Sequence, residues 1–410
     1  MNRAVAITGM GCISGLGNGL ARTWERISRG NGAIRMLERE APAGKSAAGM
    51  NGPAAWIEPD TASQALAGRN LRHLGKLDPL SSYALIAAIE AVGQAGLFDH
   101  PALADRTAIV LGCGSGGNAA IDTAFERLYG QDLGKVHPQT IPSSMICAPA
   151  SHIGILLGAR GPAFVLSSAC ASSAHALGEA MHLIRSGRVD VAIAGGSEAC
   201  LSPGSWVAWN SLGVLAKDTC RPFSHDRSGM VLGEGAAILV LESEEHARSR
   251  SANILGMIAG YGATCDASDM TAPDQAGIET AIRAAHGDAG LNASEPALIS
   301  AHGTGTRLND LTEAAALHGV HAAAIKNQTV IATKSAHGHL IGATAALEFV
   351  IGMKALTEGI APPLLNYAAP DPQCDLPLAL EPTPIDHEVL VSNSFAFGGL
   401  NAVLVGRKAA

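Results

Sequence analysis

The sequence predicts an α/β fold in which β-sheets are covered by helices on both faces. Short β-rich runs alternate with longer alanine-rich helical runs from one end of the chain to the other. Hydrophobic residues make up 47% of the 410 residues, and charged residues only 16%. This composition excludes a disordered chain and leaves enough apolar material for a large core. At roughly 150 residues per domain, the length predicts two or three structural units.

Charge and cysteine usage narrow the class of protein. The chain has 28 Lys and Arg against 36 Asp and Glu, a formal net charge of −8, which argues against nucleic acid as the main partner. The eight cysteines are scattered without a CxxC pair, a pattern typical of a reducing compartment rather than a disulfide framework or zinc ribbon. The apolar run Leu340–Leu356 contains Glu348 and Lys354, so we expect a buried helix there and no membrane span. With no signal-peptide pattern at the N-terminus, we expect a cytoplasmic protein.

The alternation of strands and helices runs through two halves, which we expect at residues 1–248 and 249–410. In the first half, the predicted strands are Val5–Thr8, Thr107–Leu111, Ala163–Leu166, Val189–Ala194 and Ala236–Leu241, and the helices are Leu80–Ala95 and Ala171–Ser186. In the second half, the strands are Ile254–Tyr261, Ala297–Ala301, Val330–Thr333, Leu390–Ser392 and Ala402–Val405, and the helices are Gly277–Ala289, Asp310–His318 and Gly342–Thr357. No Pro-rich linker separates the halves, so we expect them to pack together.

A weak internal repeat relates the halves. In the first, a strand leads through Ser167–Cys170 into a small-residue helix; in the second, a strand leads through Lys334–His339 into another. Both arrangements put a reactive side chain where a strand meets a helix N-terminus. Chance similarity between alanine-rich helices explains the repeat equally well at this point.

Cys170 is the candidate nucleophile. A lone cysteine in an apolar segment is usually inert core packing, but this one lies among small residues between a strand and an amphipathic helix. A helix N-terminus lowers the pKa of a thiol, and small neighbours let a substrate approach the sulfur. A nucleophilic cysteine also needs partner groups.

Two histidine segments can supply those partners. His302 directly follows a strand and is followed by Thr304 and Thr306, whose hydroxyls can bind a polar ligand. Further along, Lys334, His337 and His339 precede a helix. A His-x-His pair with no further ligand in its turn offers too few ligands, which argues against metal binding. A purely structural role remains open for both histidines, above all for His337.

These segments resemble the β-ketoacyl-[acyl-carrier-protein] synthases, the condensing enzymes of fatty acid and type II polyketide synthesis, of the elongating synthase II type. The resemblance covers essentially the whole chain, through Val5–Gly11, Ser168–Ser172, Gly195–Glu198, Arg221–Ser224, Gly233–Ala236, His302–Thr306, Lys334–His339 and Asn393–Asn401. Within the family, Thr219–Ser224 and His302–Asp310 are most similar to the nodulation protein E type and related polyketide ketosynthases.

The resemblance implies a thiolase-like fold, a five-layered α-β-α-β-α sandwich of two pseudo-symmetric halves that works as a dimer. It implies transfer of an acyl chain from acyl carrier protein (ACP) to Cys170, followed by decarboxylation of malonyl-ACP and condensation, with no cofactor and no metal. The first half would carry Cys170, and the second half His302, Lys334 and His339.

The resemblance also implies roles for individual residues. His302 and His339 would stabilise the charge that develops on the malonyl thioester, and the backbone N–H groups of Cys170 and Phe397 would stabilise the acyl oxyanion. Lys334 would organise the second histidine, and Glu348 would tie down this network. Thr304 and Thr306 would bind the pantetheine arm. Phe397 would gate the entry of malonyl-ACP, although a structural aromatic packed on the sheet is the simpler interpretation of this residue.

Three positions depart from the usual elongating enzyme, which favours a specialised substrate. Ser115 stands where a bulky aliphatic residue commonly lines the acyl pocket, Leu400 replaces a threonine, and Met230 stands where an aromatic is common. We therefore expect Ser115 to widen the pocket.

Two related classes of protein are alternatives. A thiolase would have a second cysteine in a Gly-rich C-terminal motif, but the last cysteine is Cys374. A non-catalytic chain-length factor commonly lacks the nucleophile, which is present here. The remaining alternative is the catalytic subunit of an obligate heterodimer with such a factor, in place of a homodimer.

Overall fold

The structure is a computed structural model that describes residues 3–39, 49–71, 74–98 and 100–409. Its strands are β1 Val5–Ser14, β2 Gly17–Asn18, β3 Arg35–Arg39, β4 Met50–Ala55, β5 Thr107–Gly112, β6 Ala163–Leu166, β7 Val191–Glu198, β8 Leu232–Gly233, β9 Gly235–Ser243, β10 Gly256–Cys265, β11 Leu298–Ser300, β12 Thr329–Ile331, β13 Ile360–Ala361, β14 Thr383–Pro384, β15 Val389–Ala396 and β16 Leu400–Lys408.

Its α-helices alternate with these strands. They are α1 Leu20–Ser28, α2 Pro59–Ala65, α3 Pro79–Gln94, α4 Asn118–Phe125, α5 Thr140–Ser144, α6 Ala148–Leu157, α7 Ser172–Arg185, α8 Pro203–Ser211, α9 Glu244–Ser249, α10 Gln275–Ala289, α11 Arg307–His321, α12 Lys334–His337 and α13 Thr344–Glu358. Among the described residues, none of these helices has the length and apolar content needed to cross a membrane.

The main sheet consists of two halves with the same topology. The first half has the strand order β6-β5-β7-β9-β1, and the second has the order β12-β11-β15-β16-β10. Numbered by their order along the chain, the strands of each half therefore run 3-2-4-5-1. The parallel and antiparallel pairings also match from strand to strand. The halves meet where Val5–Ile7 of β1 pairs antiparallel with Gly256–Ile258 of β10. The two halves are thus pseudo-symmetric, as the family resemblance implies.

Helices and sheet halves stack in five layers. Helices α3 and α6 cover the outer face of the first half, and α10 and α11 cover that of the second. Between the halves, α7 packs against α13, and the two helices contact β7 and β15 respectively. Three apolar clusters fill the spaces: one around the central helices, one beneath α3 and one beneath α10 and α11. This is the five-layered thiolase-like sandwich, and it buries the N-termini of both central helices at the middle of the molecule.

Strand β1 is longer than the sequence predicts. The sequence predicts that this strand ends at Thr8, but β1 continues to Ser14 with all ten residues buried. A Cβ at Gly9 would lie 2.0 Å from the carbonyl oxygen of Ala91, and one at Gly11 would lie 2.2 Å from that of Ala87. Both glycines therefore let α3 lie directly on the strand backbone.

The five predicted helices correspond to α3, α7, α10, α11 and α13, with ends that differ by at most three residues. The short elements α1, α2, α4–α6, α8, α9, α12, β2–β4, β8, β13 and β14 were not predicted. These elements lack a long apolar period and are held by contacts with distant segments, as when β4 pairs with β8.

Candidate active site

Cys170 lies in a sharp turn between β6 and α7. A 3₁₀ turn at Ala169–Ala171 leads directly into α7, and Ala169 has a left-handed φ of 48°. Such a conformation in a residue other than glycine costs about 1–3 kcal/mol and is kept only where the surroundings impose it. The turn presents the sulfur of Cys170, which is 7% exposed, at the N-terminal end of α7. The local arrangement is the one predicted from the sequence.

His339 faces Cys170 from the other half of the molecule. Its Nε2 lies 3.0 Å from the Sγ of Cys170. Its Nδ1 accepts a hydrogen bond from the backbone N–H of Ile341 at 3.2 Å and lies 2.8 Å from Oγ1 of Thr344. Because a neutral imidazole carries one proton, an accepting Nδ1 requires the proton to be on Nε2. His339 therefore directs an N–H at the sulfur.

His302 is held in the same tautomer by Lys334, so the lysine contacts the first histidine and not, as the resemblance implied, the second. The Nζ of Lys334 lies 3.4 Å from Nδ1 of His302, also donates to the backbone carbonyl of His302, and donates to both carboxylate oxygens of Glu348 at 2.8 and 3.0 Å. An ammonium can only donate, so Nδ1 of His302 accepts and Nε2 carries the proton. The rings of His302 and His339 are 5.6 Å apart. The site thus holds two N–H donors beside one sulfur.

The same three side chains are the set of described residues that could hold a metal ion. The candidate ligand atoms of Cys170, His302 and His339 all lie within 4.8 Å of one another. Metal ligation needs a free lone pair on each nitrogen. In both histidines the lone pair is on Nδ1. In His302 it accepts from Lys334, and in His339 it accepts from the Ile341 N–H. The hydrogen bonds favour N–H donors rather than metal ligands.

Burial sets the protonation of the site. It lowers the pKa of His302 and His339 well below the usual value, reinforced by the charge of Lys334, so both rings are neutral donors. Burial also raises the pKa of Cys170 to about 12, against the lowering effects of Lys334 and of the backbone N–H groups of Cys170 and Phe397. The helix N-terminus alone predicts a lowered pKa for this thiol, and the structure shows that desolvation outweighs it.

A cavity of about 300 Å³ leads to the sulfur. Thr304 and Thr306 line it, with their hydroxyl oxygens 2.9 Å apart, and so does Met230. Phe397 also lines the cavity and stacks on Trp209 with ring centroids 6.5 Å apart. The segment after Phe397 is tethered to a second loop, because the Gly398 N–H donates to the carbonyl of Met270 at 2.7 Å.

Two predicted residues lie elsewhere. The hydroxyl of Ser115 donates to the carboxylate of Glu198 at 2.7 Å, and the side chain is exposed rather than part of the cavity wall. His337 has the structural role left open for it. Its Nδ1 lies 2.7 Å from the carbonyl of Gly338, and its Nε2 lies 2.9 Å from the Thr333 hydroxyl.

Three residues beside the site were missed. Trp209 lines the cavity. Glu313 accepts the backbone N–H groups of His302 and Gly303 at 2.7 and 2.8 Å, and burial raises its pKa to about 7. Glu198 is fully buried next to the turn that follows His339. The two carboxylates act on backbone groups brought together by the fold, which residue types and spacing do not reveal.

A cysteine at a strand-to-helix turn, facing two neutral imidazoles across a doubled α/β sandwich, defines a thiolase-like acyl-transferring enzyme. Two family models match the chain: "Beta-ketoacyl synthase, N-terminal domain" over residues 2–247 and "Beta-ketoacyl synthase, C-terminal domain" over residues 255–368. The chain belongs to the β-ketoacyl synthase family.

Similar proteins and similar solved structures match this chain over essentially its full length. Nodulation protein E of Rhizobium meliloti (strain 1021) is 41% identical, with 98% of this chain and 99% of the relative covered. The 3-oxoacyl-[acyl-carrier-protein] synthase 2 of Staphylococcus aureus (strain COL) is 35% identical, with 99% of each chain covered. The solved ishigamide ketosynthase/chain length factor superposes with a TM-score of 0.92 at 32% identity, covering 100% of both chains.

Proposed function

We propose that this chain is a β-ketoacyl-ACP synthase that carries its acyl intermediate on Cys170. It catalyses the decarboxylative Claisen condensation of malonyl-ACP with that acyl group, in fatty acid or specialised acyl or polyketide chain elongation. The observation that supports the assignment most strongly is the distance of 3.0 Å between Sγ of Cys170 and Nε2 of His339, in a cavity that His302 also lines.

Acyl transfer is a thioester exchange. The sulfur of Cys170 attacks the carbonyl carbon of acyl-ACP, the bond to the pantetheine sulfur breaks, and the proton of Cys170 ends on the departing pantetheine thiol. The carbonyl oxygen becomes an oxyanion during the attack, and the backbone N–H groups of Cys170 and Phe397 are directed toward the reacting sulfur. Donors held in place before the reaction stabilise such charge without reorganisation.

Condensation then uses the two histidines. When the carbon–carbon bond to the malonyl carboxylate breaks, carbon dioxide leaves and its electron pair passes to the thioester as an enolate. The Nε2–H groups of His302 and His339 donate to the enolate oxygen. The enolate carbon attacks the acyl carbonyl, and the sulfur of Cys170 leaves with its electron pair.

The remaining predicted residues hold or admit the substrates. Lys334 and Glu348 fix the tautomer of His302 from a fully buried ion pair. Thr304 and Thr306 offer hydroxyls to the pantetheine arm, and Phe397, on its tethered segment, gates the cavity. Ser115 lies outside the cavity in the single chain, and we propose that it contacts the acyl chain only when substrate or a second subunit covers its exposed face.

We further propose a cytoplasmic location and two functional halves divided at residues 248 and 249. The partners are acyl- and malonyl-ACP, since the synthase 2 relative carries that carrier in its name. A homodimer is the first expectation. The chain-length-factor description of the ishigamide structure supports the alternative of a catalytic subunit in a heterodimer.

The test is product formation by the purified chain. Incubation with acyl-ACP and malonyl-ACP should release β-ketoacyl-ACP, detected by intact mass, and Cys170→Ala should abolish it. Cys147→Ala, at a half-buried cysteine outside the cavity, should not.

Native mass spectrometry of the same sample gives the oligomeric state. A chain that is active only together with a chain-length factor would establish the heterodimer. Failure to form product both alone and with such a partner would overturn the proposal.

A further inference from the structure

Glu198 is a fully buried carboxylate that the reaction does not consume. It ends strand β7 and joins two segments from opposite halves of the molecule. One oxygen accepts the backbone N–H of Gly114 at 2.7 Å and that of Gly342 at 3.0 Å. The other accepts the hydroxyl of Ser115 at 2.7 Å and its backbone N–H at 3.3 Å. With the thiol of Cys113 at 3.7 Å, the carboxylate has five donors, and it is a strong anchor because these buried donors would be unpaired without it.

The segment that Glu198 anchors is the turn after His339. This 3₁₀ turn, Ile341–Ala343, begins α13, and the N–H groups of a helix's first turn have no partner within the helix. Glu198 supplies a partner for Gly342. The residue must be glycine, since a Cβ there would lie 2.3 Å from the nitrogen of Gly114 and 2.8 Å from the carboxylate.

The anchored turn is strained. Ile341 is a buried β-branched residue with a left-handed φ of 44°, a conformation that such residues rarely adopt. In that conformation its N–H reaches Nδ1 of His339, and this hydrogen bond fixes the proton of the ring on Nε2, which faces Cys170. The strain therefore has to be balanced by contacts on both sides of Ile341. Glu198 provides the contact at the next residue.

We propose that Glu198 is a positioning residue that holds the Ile341–Ala343 turn so that His339 keeps its Nε2–H directed at Cys170. Glu198 acts through the backbone N–H of Gly342, and what matters is the reach of its acceptor oxygen, not its charge. Its link to Ser115 makes the Gly112–Gly117 loop part of the same assembly. This inference deepens the proposed function and rests on the role of His339 in it.

Two conservative variants separate reach from charge. Glu198→Gln keeps the length of the side chain, so its amide oxygen can accept from Gly114 and Gly342. Its NH₂ group can donate to the Ser115 hydroxyl, and only the longer contact with the Ser115 backbone N–H, at 3.3 Å, loses its acceptor. Glu198→Asp keeps the charge but is one methylene shorter and cannot reach Gly342. We expect Glu198→Asp to lower the rate of acylation of Cys170 by acyl-ACP roughly 10- to 100-fold, the range for one buried N–H left without an acceptor. Glu198→Gln should stay within a few-fold of the parent.

A second readout needs no carrier protein. The pH profile of Cys170 alkylation by iodoacetamide reports the thiol and its imidazole partner. The charge of Glu198 raises the pKa of Cys170, so Glu198→Gln should move the profile to lower pH. In Glu198→Asp the charge stays, and a misdirected His339 N–H should move the profile to higher pH.

These experiments test the role of Glu198 separately from the proposed condensation. Should the parent chain form no β-ketoacyl-ACP, the alkylation profiles still test the positioning of His339. Two results would overturn the inference: an Asp variant that matches the parent in both assays, or a Gln variant that loses as much as the Asp variant. A change in thermal stability of Glu198→Asp with an unmoved alkylation profile would equally reduce Glu198 to a structural role.

Discussion

The turn before α7 and the turn before α13 occupy equivalent places in the two halves, but they serve different purposes. Each is a 3₁₀ turn whose first residue is left-handed, Ala169 at a φ of 48° and Ile341 at 44°. The next residue is Cys170 in one and Gly342 in the other. In the first turn the backbone N–H of Cys170 lies beside the sulfur, together with that of Phe397 from the second half; in the second turn, the N–H of Gly342 donates to Glu198. The same type of strained 3₁₀ turn therefore presents the nucleophile Cys170 in the first half and orients the imidazole of His339 in the second half.

We therefore assign the binding of the acyl group to the first half, through Cys170, and the stabilisation of negative charge to the second half, through His302 and His339. The second half is accordingly the one with the buried ion pair Lys334–Glu348 behind its histidines. Breaking parts of either half should therefore have separable effects.

The largest expected effect comes from the ion pair. Lys334→Met leaves Glu348 buried without its ion-pair partner, and loss of one member of a buried pair destabilises by about 3–5 kcal/mol. Urea denaturation measures the change in free energy of unfolding. The control is Lys354→Met, which breaks the half-exposed pair with Glu358 and should cost about 0.5 kcal/mol or less. Equal losses in the two variants would mean that Lys334 does not organise the second half.

The next effect separates the two half-reactions. His302→Ala removes one donor to the enolate oxygen, and loss of one such donor costs on the order of 10²–10³ in rate. Condensation should fall by that factor while acylation of Cys170 by acyl-ACP continues. Single-turnover mass measurements of both steps give the comparison. An equal loss in both steps would contradict the division of labour between the halves.

Lowering the pH should destabilise the outer layer formed by α10 and α11 more than the outer layer that contains α3. His286 of α10 and His321 of α11 lie 5.5 Å apart, and Nε2 of each is buried without a partner. Burial, then His321 and Arg283, lower the pKa of His286 to about 4, against the raising effect of Glu295. The pKa of His286 is lower in the folded state than in the unfolded state. The neutral ring therefore contributes fully to the free energy of unfolding above pH 6.5, and this contribution is lost as the pH falls toward 4. It amounts to on the order of 3 kcal/mol.

Hydrogen exchange at pH 7 and pH 5 checks this difference. Protection in α10 and α11 should drop more than protection in α3, and His286→Phe should remove most of the extra loss. Equal loss of protection in both outer layers would contradict the assignment of acid sensitivity to the histidine pair.

The smallest effect concerns substrate choice in the first half. Ser115→Ile adds bulk and removes the hydroxyl that donates to Glu198, so we expect a preference for shorter acyl-ACPs with malonyl decarboxylation largely unchanged. Overlap with long chains should cost about 1–3 kcal/mol. Ser115→Ala, which removes the hydroxyl without adding bulk, is the control. If Ser115→Ile and the parent share one acyl-chain profile, Ser115 is not part of the acyl path.

Residue types and periodicity were enough for the alternating architecture and for the segments that meet at the site. The sequence was sufficient to identify Cys170, His302 and His339, because each lies in a segment between a predicted strand and a predicted helix. The tautomers of the histidines could not be predicted, since they depend on Lys334 and on the Ile341 N–H. Nor could the pKa of Cys170, because its burial depends on packing between halves that are distant in sequence. Glu198 has an ordinary strand-end position and becomes informative only once Gly342 is seen beside it.

The most direct test of the account is to find where the acyl group goes. All eight cysteines are free; Cys265 is exposed, whereas Cys170 is buried. After incubation with acyl-ACP and denaturation, peptide mapping by mass spectrometry should find the acyl group on Cys170, and Cys170→Ala should carry none. Acylation of Cys265 in place of Cys170, or persistent acylation of Cys170→Ala, would contradict the central claim that the turn before α7 presents the nucleophile.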